Sequence, residues 1–534
     1  MKESIIENPE YRLPKGWIVL AVVVITVTLL PGFNHGIWKP DEPLVAGISA
    51  EMARTKDFVV PRLNGEPFLE KPPLYYAVGA LSGMVFGPEY EGSYRMVSVM
   101  FGLLTLLTTF AIVRRRSGVL SGLLASGILA SSWQFFMVSR WIQVDSALTF
   151  TVTFSLFAYL RLKEGRSFMD SALLGVAIGL SFLVKGFVGP AILAAMIFGD
   201  MILKRDFTVI RGMHPILIGA FTCIIILPWT IALYIHGGWP FVREVLVVNN
   251  IMRFLGLSEG AALGHQHGFF YYISSLPRNL VPWTLIFIPV VVSSVKNIRK
   301  DPYAIWFIAP FILLSISSTK RSVYLAPLYP VMACMIAHWM TSGEKKPWEK
   351  IFIKATWALA TIGCLAPAAG IFLHKPALGM IMAVLSIGFL FVVRRGVMFS
   401  QARGLALVLV TCIALTTTMS VYFSYMTPKE DYLGFTRAAL ARAQGSDIII
   451  YLGEDEILEG LFPMVSGTVY PVTDGSQELV SGMYAWVDKR DRGRKQLTDK
   501  GTVEILLDQE VGTKKAYLAL FESAPKEDDT KQTN

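Results

Sequence analysis

Two carboxylates stand side by side at Asp41 and Glu42 in WKPDEPLVAGISAEMAR, and an acid–base pair, Glu70 and Lys71, follows in FLEKPPLYY. A carboxylate held near a nucleophile can take its proton, and cations can stabilise charge growing on a departing anion. The prolines after Lys71 favour extended backbone at that point. Arg140 and Asp145 lie in SRWIQVDSALTF, Lys185 in FLVKGFVGP, and Lys320, Arg321 and Tyr324 in TKRSVYLAP. His265 and His267 flank one residue in GHQHGFFYY, and imidazoles with a carboxylate such as Glu70 suit zinc or manganese. Each residue also has a plainer reading. Asp41 and Glu42 fall in the first turn of an expected helix, where acids cap and offset the dipole. Lys71 could snorkel to headgroups, and Tyr324 could belong to an aromatic belt. The histidines could be ordinary surface residues, and Asp145 half of a structural ion pair.

The elements that must carry these residues belong to a membrane. Of 534 residues, 53% are hydrophobic and only 17% charged, with a mean hydropathy of +0.50. About thirteen runs are apolar enough to span a bilayer. They are Trp17–Phe33, Tyr94–Val113, Val119–Val138, Ile142–Leu160, Ser171–Val184, Phe187–Leu203, Ile216–Ile235, Val281–Val295, Tyr303–Ser318, Val323–Met340, Ile353–Leu373, Ala377–Val393 and Leu405–Tyr425. The start of the chain is polar with no evident cleavable signal, and the first run is long enough to remain as an anchor. With Pro73–Gly87 lying at the interface, nearly every basic cluster falls on one side, from Lys2, Arg12 and Lys15 through Arg114, Arg115 and Arg116 to Arg394, Arg395 and Arg403. That side is the cytoplasm, and the net charge of +9 is the excess that topology demands rather than a nucleic-acid signature. The loop 34–93, Arg140, Asp145, Lys185, the histidine pair and Lys320–Tyr324 then all face outward.

The expected organisation is a transmembrane catalytic domain over residues 1–426 with the outer loop 34–93, an extracytoplasmic α/β domain over 427–522, and a disordered tail over 523–534. The loop is too apolar for disorder; DEPLVAGISAEMAR predicts an amphipathic helix. In the tail GFTRAALARAQ predicts a helix, and SDIIIYLG, GTVYPVTD, MYAWVDKR and KAYLALFES predict strands. Cys223, Cys334, Cys364 and Cys412 all sit in apolar runs without metal or redox spacing.

The Asp-Glu pair behind the first span, the helix ending EMA and PRLNGEPFLEKPPLYY resemble the lipid A aminoarabinose transferases. They also resemble the wider polyprenyl-phosphate-sugar glycosyltransferases, including the protein O-mannosyltransferases. The likeness continues in family order at SRWIQVDSALTF, SFLVKGFVGP, HQHGFFYY and KRSVYLAPLYP. It implies a polytopic α-helical GT-C-like fold in a bacterial inner membrane. The donor would be a polyprenyl-phosphate sugar and the acceptor a lipid, glycan or protein. It implies Asp41 as general base beside Glu42, and Lys71, Lys185, Tyr324, Lys320 and Arg321 around the donor phosphate. Asp145 and Arg140 would support them or meet the acceptor, and Glu70 with His265 or His267 would hold a divalent zinc, manganese or magnesium ion. One departure stands out: the aminoarabinose transferases usually carry arginine two residues after the Asp-Glu pair, where this chain has Leu44 behind Pro43.

Two other classes compete. A transporter or flippase of a lipid-linked or anionic substrate would bury its ionisable groups near mid-membrane, often at broken helices, whereas these cluster at one face. A scaffold without activity leaves the Asp-Glu pair and EKPP without a purpose.

Overall fold

The computed structural model describes residues 13–374 and 402–523 with a few positions between them, except residues 34, 39, 166, 208–209, 211, 258–264, 300, 453–455, 478 and 490. Most of the expected span Ala377–Val393 and all but the first residue of the expected tail lie outside the described residues. The chain forms two compact units. One takes in residues 1–33, 69–75 and 95–423; the other takes in residues 34–68, 76–94 and 424–534. Contacts therefore group most of the first outer loop with the C-terminal segment, apart from the short EKPP stretch.

The larger unit is helical. Among the described residues five helices are long and apolar enough to cross a bilayer: Glu91–Ala130, Phe168–Lys185, Pro215–Leu255, Ser322–Thr341 and Arg403–Met426. Shorter apolar helices occupy Lys15–Val27, Thr284–Lys296 and Ala304–Ile316. Helices Asp145–Gly165, Val188–Lys204 and Pro347–His374 fall on further expected spans. Two expected spans share the Glu91–Ala130 helix, which breaks at Gly118, and the second gives way to a separate short helix, Trp133–Val138. The Asp145–Gly165 helix shows how hydroxyl residues survive in such a bundle. Thr149, Thr153 and Ser155 are buried and donate to the carbonyls of Asp145, Thr149 and Thr151, four residues back, at 2.6–2.7 Å. The Pro215–Arg243 helix instead leaves Ile216, Ile224, Ile231 and Ile235 exposed, a face that suits lipid better than water.

In the smaller unit, strands β1 (Arg62–Leu63) and β2 (Glu66–Pro67) pair through an Asn64-Gly65 turn, both residues with positive φ, as a tight hairpin requires. Strands β3 (Ile448–Tyr451), β4 (Val472–Thr473), β5 (Gly482–Asp488), β6 (Gly501–Val511) and β7 (Lys514–Ser523) form one mixed sheet in the order β4-β3-β5-β7-β6. Its core stacks Trp486 on Tyr517 at 5.1 Å, with Tyr451, Leu497 and Phe521 around them. The sequence reading missed β6. Its outward Glu504, Asp508 and Glu510 interrupt the apolar pattern, and such charges suit an edge strand.

The expected amphipathic helix forms over Glu42–Thr55, but ten of its fourteen residues are buried. The reason lies in the Ile457–Ser466 helix that packs against it. Gly47 and Gly460 meet backbone to backbone, and a Cβ at Gly460 would stand 2.3 Å from the Pro43 carbonyl oxygen. Arg54 donates to the Pro463 and Met464 carbonyls at 2.6 and 2.5 Å, and Asn64 exchanges two bonds with the Tyr470 backbone at 2.7 and 2.8 Å. The Asp41–Glu42 pair is thus anchored to the C-terminal domain's own helix. Gly460→Ala should overpack this crossing and destabilise the unit by ~1–3 kcal/mol, seen as a lower melting temperature in detergent. Gly482→Ala, whose Cβ would meet only Ile449 at an ordinary 3.5 Å, should melt close to wild type.

Candidate active site

Within the larger unit, helices Asp145–Gly165 and Phe168–Lys185 run as an antiparallel pair joined by a short turn. The first residue of one therefore lies level with the last residue of the other. Asp145 sits in a first turn and Lys185 in a last turn, where the helix dipoles favour an acid and a base respectively. Lys185 Nζ donates to Asp145 Oδ1 at 2.6 Å, and only 13% and 7% of the two side chains are exposed. The ammonium also lies 4.5 Å from the ring centroid of Tyr324, a cation–π distance. Three of the residues singled out from sequence thus meet in one place.

Of the two partners that the sequence offers Asp145, the structure selects Lys185. Arg140 is 1% exposed, with its guanidinium 5.0 Å from the Phe136 ring and 4.8 Å from the Phe423 ring. Both rings lie at cation–π distance of this guanidinium.

The EKPP stretch belongs to the same unit. Lys71 Nζ lies 3.0 Å from Glu70 Oε2, and Arg253 Nη1 stands 3.8 Å from the same oxygen. A carboxylate held between two cations is a poor start for a metal site. His267 stacks on Tyr271, with ring centroids 4.1 Å apart and planes within 8°. No group of three metal-ligating side chains assembles among the described residues. Glu70, His265 and His267 as arranged here do not fit a divalent ion, and no step is derived through one.

Lys320 departs from its expected role as a phosphate ligand. It is 2% exposed, and its ammonium donates to the carbonyls of His267, at 2.9 Å, and Ser317. Burial holds this ammonium below the ordinary lysine range. Its backbone N–H donates to the His265 carbonyl at 2.9 Å, and Gln266 bridges Thr319. Lys320 therefore pins the histidine loop in place. Arg321 is half-buried in an extended conformation at the start of the 3-10 helix Ser322–Leu328 that carries Tyr324.

The smaller unit carries Asp41 and Glu42. Asp41 stands at the N-cap of the Glu42–Thr55 helix, yet its side chain makes no capping bond. Asp41 therefore does not cap this helix through its side chain, though it stands where the dipole favours an acid. Glu42 is 1% exposed, and its Oε2 accepts from the Trp38 N–H at 2.8 Å. Its carboxylate closes the turn into the helix.

Sequence reasoning passed over Asn249, Asn250 and Arg253, which bond to the segments carrying Lys71 and Lys185. The available signal was a polar NN pair and an arginine inside the otherwise apolar EVLVVNNIMRF.

The family described as dolichyl-phosphate-mannose-protein mannosyltransferase matches residues 70–231. That match begins at Glu70 and takes in Lys71, Asp145 and Lys185, but not Asp41. An undecaprenyl phosphate-α-4-amino-4-deoxy-L-arabinose arabinosyl transferase of Edwardsiella ictaluri is 29% identical over 334 residues, 60% of this chain and 59% of that one. An uncharacterised protein of Aquifex aeolicus is 26% identical, over 65% of this chain and 68% of that one. The chain thus spans less than two thirds of the length of that arabinosyl transferase. Among solved structures, ArnT from Cupriavidus metallidurans bound to undecaprenyl phosphate superposes with a TM-score of 0.76. It is 20% identical, and the match covers 95% of this chain and 98% of that one. This likeness establishes a polytopic membrane fold of the GT-C kind. Family match, sequence relatives and fold agree in likening the chain to the polyprenyl-phosphate-sugar glycosyltransferases of the GT-C fold.

Proposed function

We propose that this chain moves a sugar from a polyprenyl-phosphate donor to a lipid, glycan or protein acceptor at the outer face of a bacterial inner membrane. The amino terminus then lies in the cytoplasm, about thirteen spans follow, and the C-terminal domain is periplasmic. The observation that carries this reading is the half-sunken Lys185 ammonium, paired to Asp145 and lying against Tyr324. An ion pair is expensive to bury in an apolar bundle, and its place at helix ends on the lysine-poor side favours a use. A lipid phosphate arriving at the interface supplies the matching anion, and Lys71 offers a second cation. The Tyr324 hydroxyl gives a neutral donor.

In the reaction, an acceptor oxygen attacks the anomeric carbon from the face opposite the phosphate. The new carbon–oxygen bond forms as the bond to the phosphate oxygen breaks, inverting the centre. Where the acceptor is a hydroxyl, its proton passes to Asp41, and the polyprenyl phosphate leaves as an anion met by Lys71 and Lys185. Asp145 fixes the Lys185 ammonium in one orientation, so little reorganisation accompanies the developing charge. The undecaprenyl phosphate-linked aminoarabinose for which the arabinosyl transferase relatives are named supports this donor class. Leu44 stands where those transferases usually carry arginine, so the particular sugar and acceptor are not carried over from them.

Asp41→Asn should reduce sugar transfer by ~10²–10⁴-fold while binding of undecaprenyl phosphate stays within error of wild type, as measured by labelled-sugar transfer and ligand binding in detergent. A variant that keeps full transfer removes Asp41 from the role of base, and a chain that moves lipid-linked sugar across vesicles without transferring it is a transporter. Lys185→Met should destabilise the fold by ~3 kcal/mol, because Asp145 is left buried and unpaired, whereas Lys185→Met with Asp145→Leu should recover most of the loss. Thermal melting of the single and double variants checks this, and both should bind undecaprenyl phosphate poorly.

A further inference from the structure

The Pro215–Arg243 helix does not end at Arg243. It runs on as a π-helix, Glu244–Met252, and a last turn, Arg253–Leu255. Wide turns of this kind are uncommon and gather at functional sites. The Glu244–Leu255 segment, π-helix and last turn together, is hydrogen-bonded to residues beside each of the three lysines that the sequence set around an anion.

Beside Lys71, Asn249 Nδ2 donates to the Glu244 carbonyl and Oε1 at 3.2 and 3.1 Å within its own helix and reaches the Leu69 carbonyl at 3.4 Å, and Arg253 stands 3.8 Å from Glu70. Asn249 is turned this way although its Oδ1 is then buried without a partner among the described residues. Beside Lys185, Asn250 Oδ1 accepts from the Phe187 N–H at 2.9 Å, while its Nδ2 donates to the Val245 carbonyl at 2.6 Å. The turn between them is built for that amide. Gly186 has φ +59°, and a Cβ there would lie 2.2 Å from Asn250 Oδ1. Beside Lys320, Ser318 Oγ donates to the carbonyls of Arg253 and Phe254, both at 3.1 Å, and Thr319 Oγ1 to that of Arg253 at 3.3 Å. Consecutive Cα atoms are 3.8 Å apart, so two adjacent asparagines bonded to Leu69 and Phe187 hold those backbone atoms within about 17 Å of each other.

We infer that the Glu244–Leu255 segment is the frame of the donor-phosphate site, with Asn250 and Asn249 as positioning residues that set where Lys185 and Lys71 stand. The inference rests on the donor reading above and deepens it. Neither asparagine touches the phosphate; each fixes the backbone next to a cation that does. Losing Asn250 frees the Lys185–Phe187 turn, so the ammonium samples positions away from the phosphate, while the apolar chain of the donor still finds its groove.

The full-length chain in detergent is titrated with undecaprenyl phosphate and with undecaprenol, the same chain lacking phosphate. Asn250→Ala removes two hydrogen bonds and should weaken phosphate binding roughly tenfold, with alcohol binding unchanged. Asn249→Ala should act in the same direction, by a smaller factor. It leaves the Gly186 turn intact, so it carries the test if Asn250→Ala does not fold. If the folded variants bind undecaprenyl phosphate as wild type does, or lose both ligands to the same extent, the positioning role is overturned while the donor reading stands. If wild type itself does not prefer the phosphate over the alcohol, or if Lys185→Ala leaves that preference whole, the donor reading fails and takes this inference with it.

Discussion

An ammonium lowered to the rim of an apolar bundle must be given a counter-charge, and in this chain Asp145 provides it for Lys185. Much of the surrounding design follows from that need. The carboxylate opens one helix and the lysine closes the next, so the pair forms only if the two helices make a hairpin with ends level. Dipoles at both ends reinforce the pair, and the Tyr324 ring roofs it. The pairing holds the ammonium in one place, which is what an anionic ligand requires of its host.

The other cations are secured by different means. Arg140 is lodged between Phe136 and Phe423, Lys71 leans on Glu70, and Lys320 spends its ammonium on the carbonyls of the histidine loop. The positive charges therefore divide between those that could meet a ligand and those that brace the loops. In the smaller unit, the same division applies to the acids. Glu42 is tied to the Trp38 N–H, while Asp41 beside it is not committed to capping. The Glu42–Thr55 helix that presents them is packed against the Ile457–Ser466 helix through facing glycines, so the C-terminal domain helps to hold the acidic pair.

Much of this was legible in the sequence, because the signals were long or strongly typed. Apolar runs marked the helices, and period-two patterns marked β3, β4, β5 and β7. The order of EKPP, VKGF and VYLAP motifs marked the family. What stayed hidden depended on which neighbour a side chain chooses. SRWIQVDS offers Asp145 a nearby arginine, and only the hairpin geometry hands it Lys185. Lys320 reads as an outward cation until the loop carbonyls close over it. The NN pair in EVLVVNNIMRF is a polar blemish in an apolar run until the helix widens and each amide finds a different backbone. Strand β6 escaped because its exposed face is acidic. A metal held by Glu70 with His265 or His267 was expected, but Glu70 lies between Lys71 and Arg253 and His267 lies flat on Tyr271.

If the outward-facing cations serve a sugar-transfer reaction on a polyprenyl phosphate, the product must differ between cells that make this chain and cells that lack it. Mass spectrometry of glycolipids and glycoproteins from the two cells tests this most directly. One class of molecule should gain the mass of a single hexose, pentose or aminopentose only when the chain is present. Identical glycolipid and glycoprotein profiles in the two cells, under conditions where the chain is made and inserted, would contradict it.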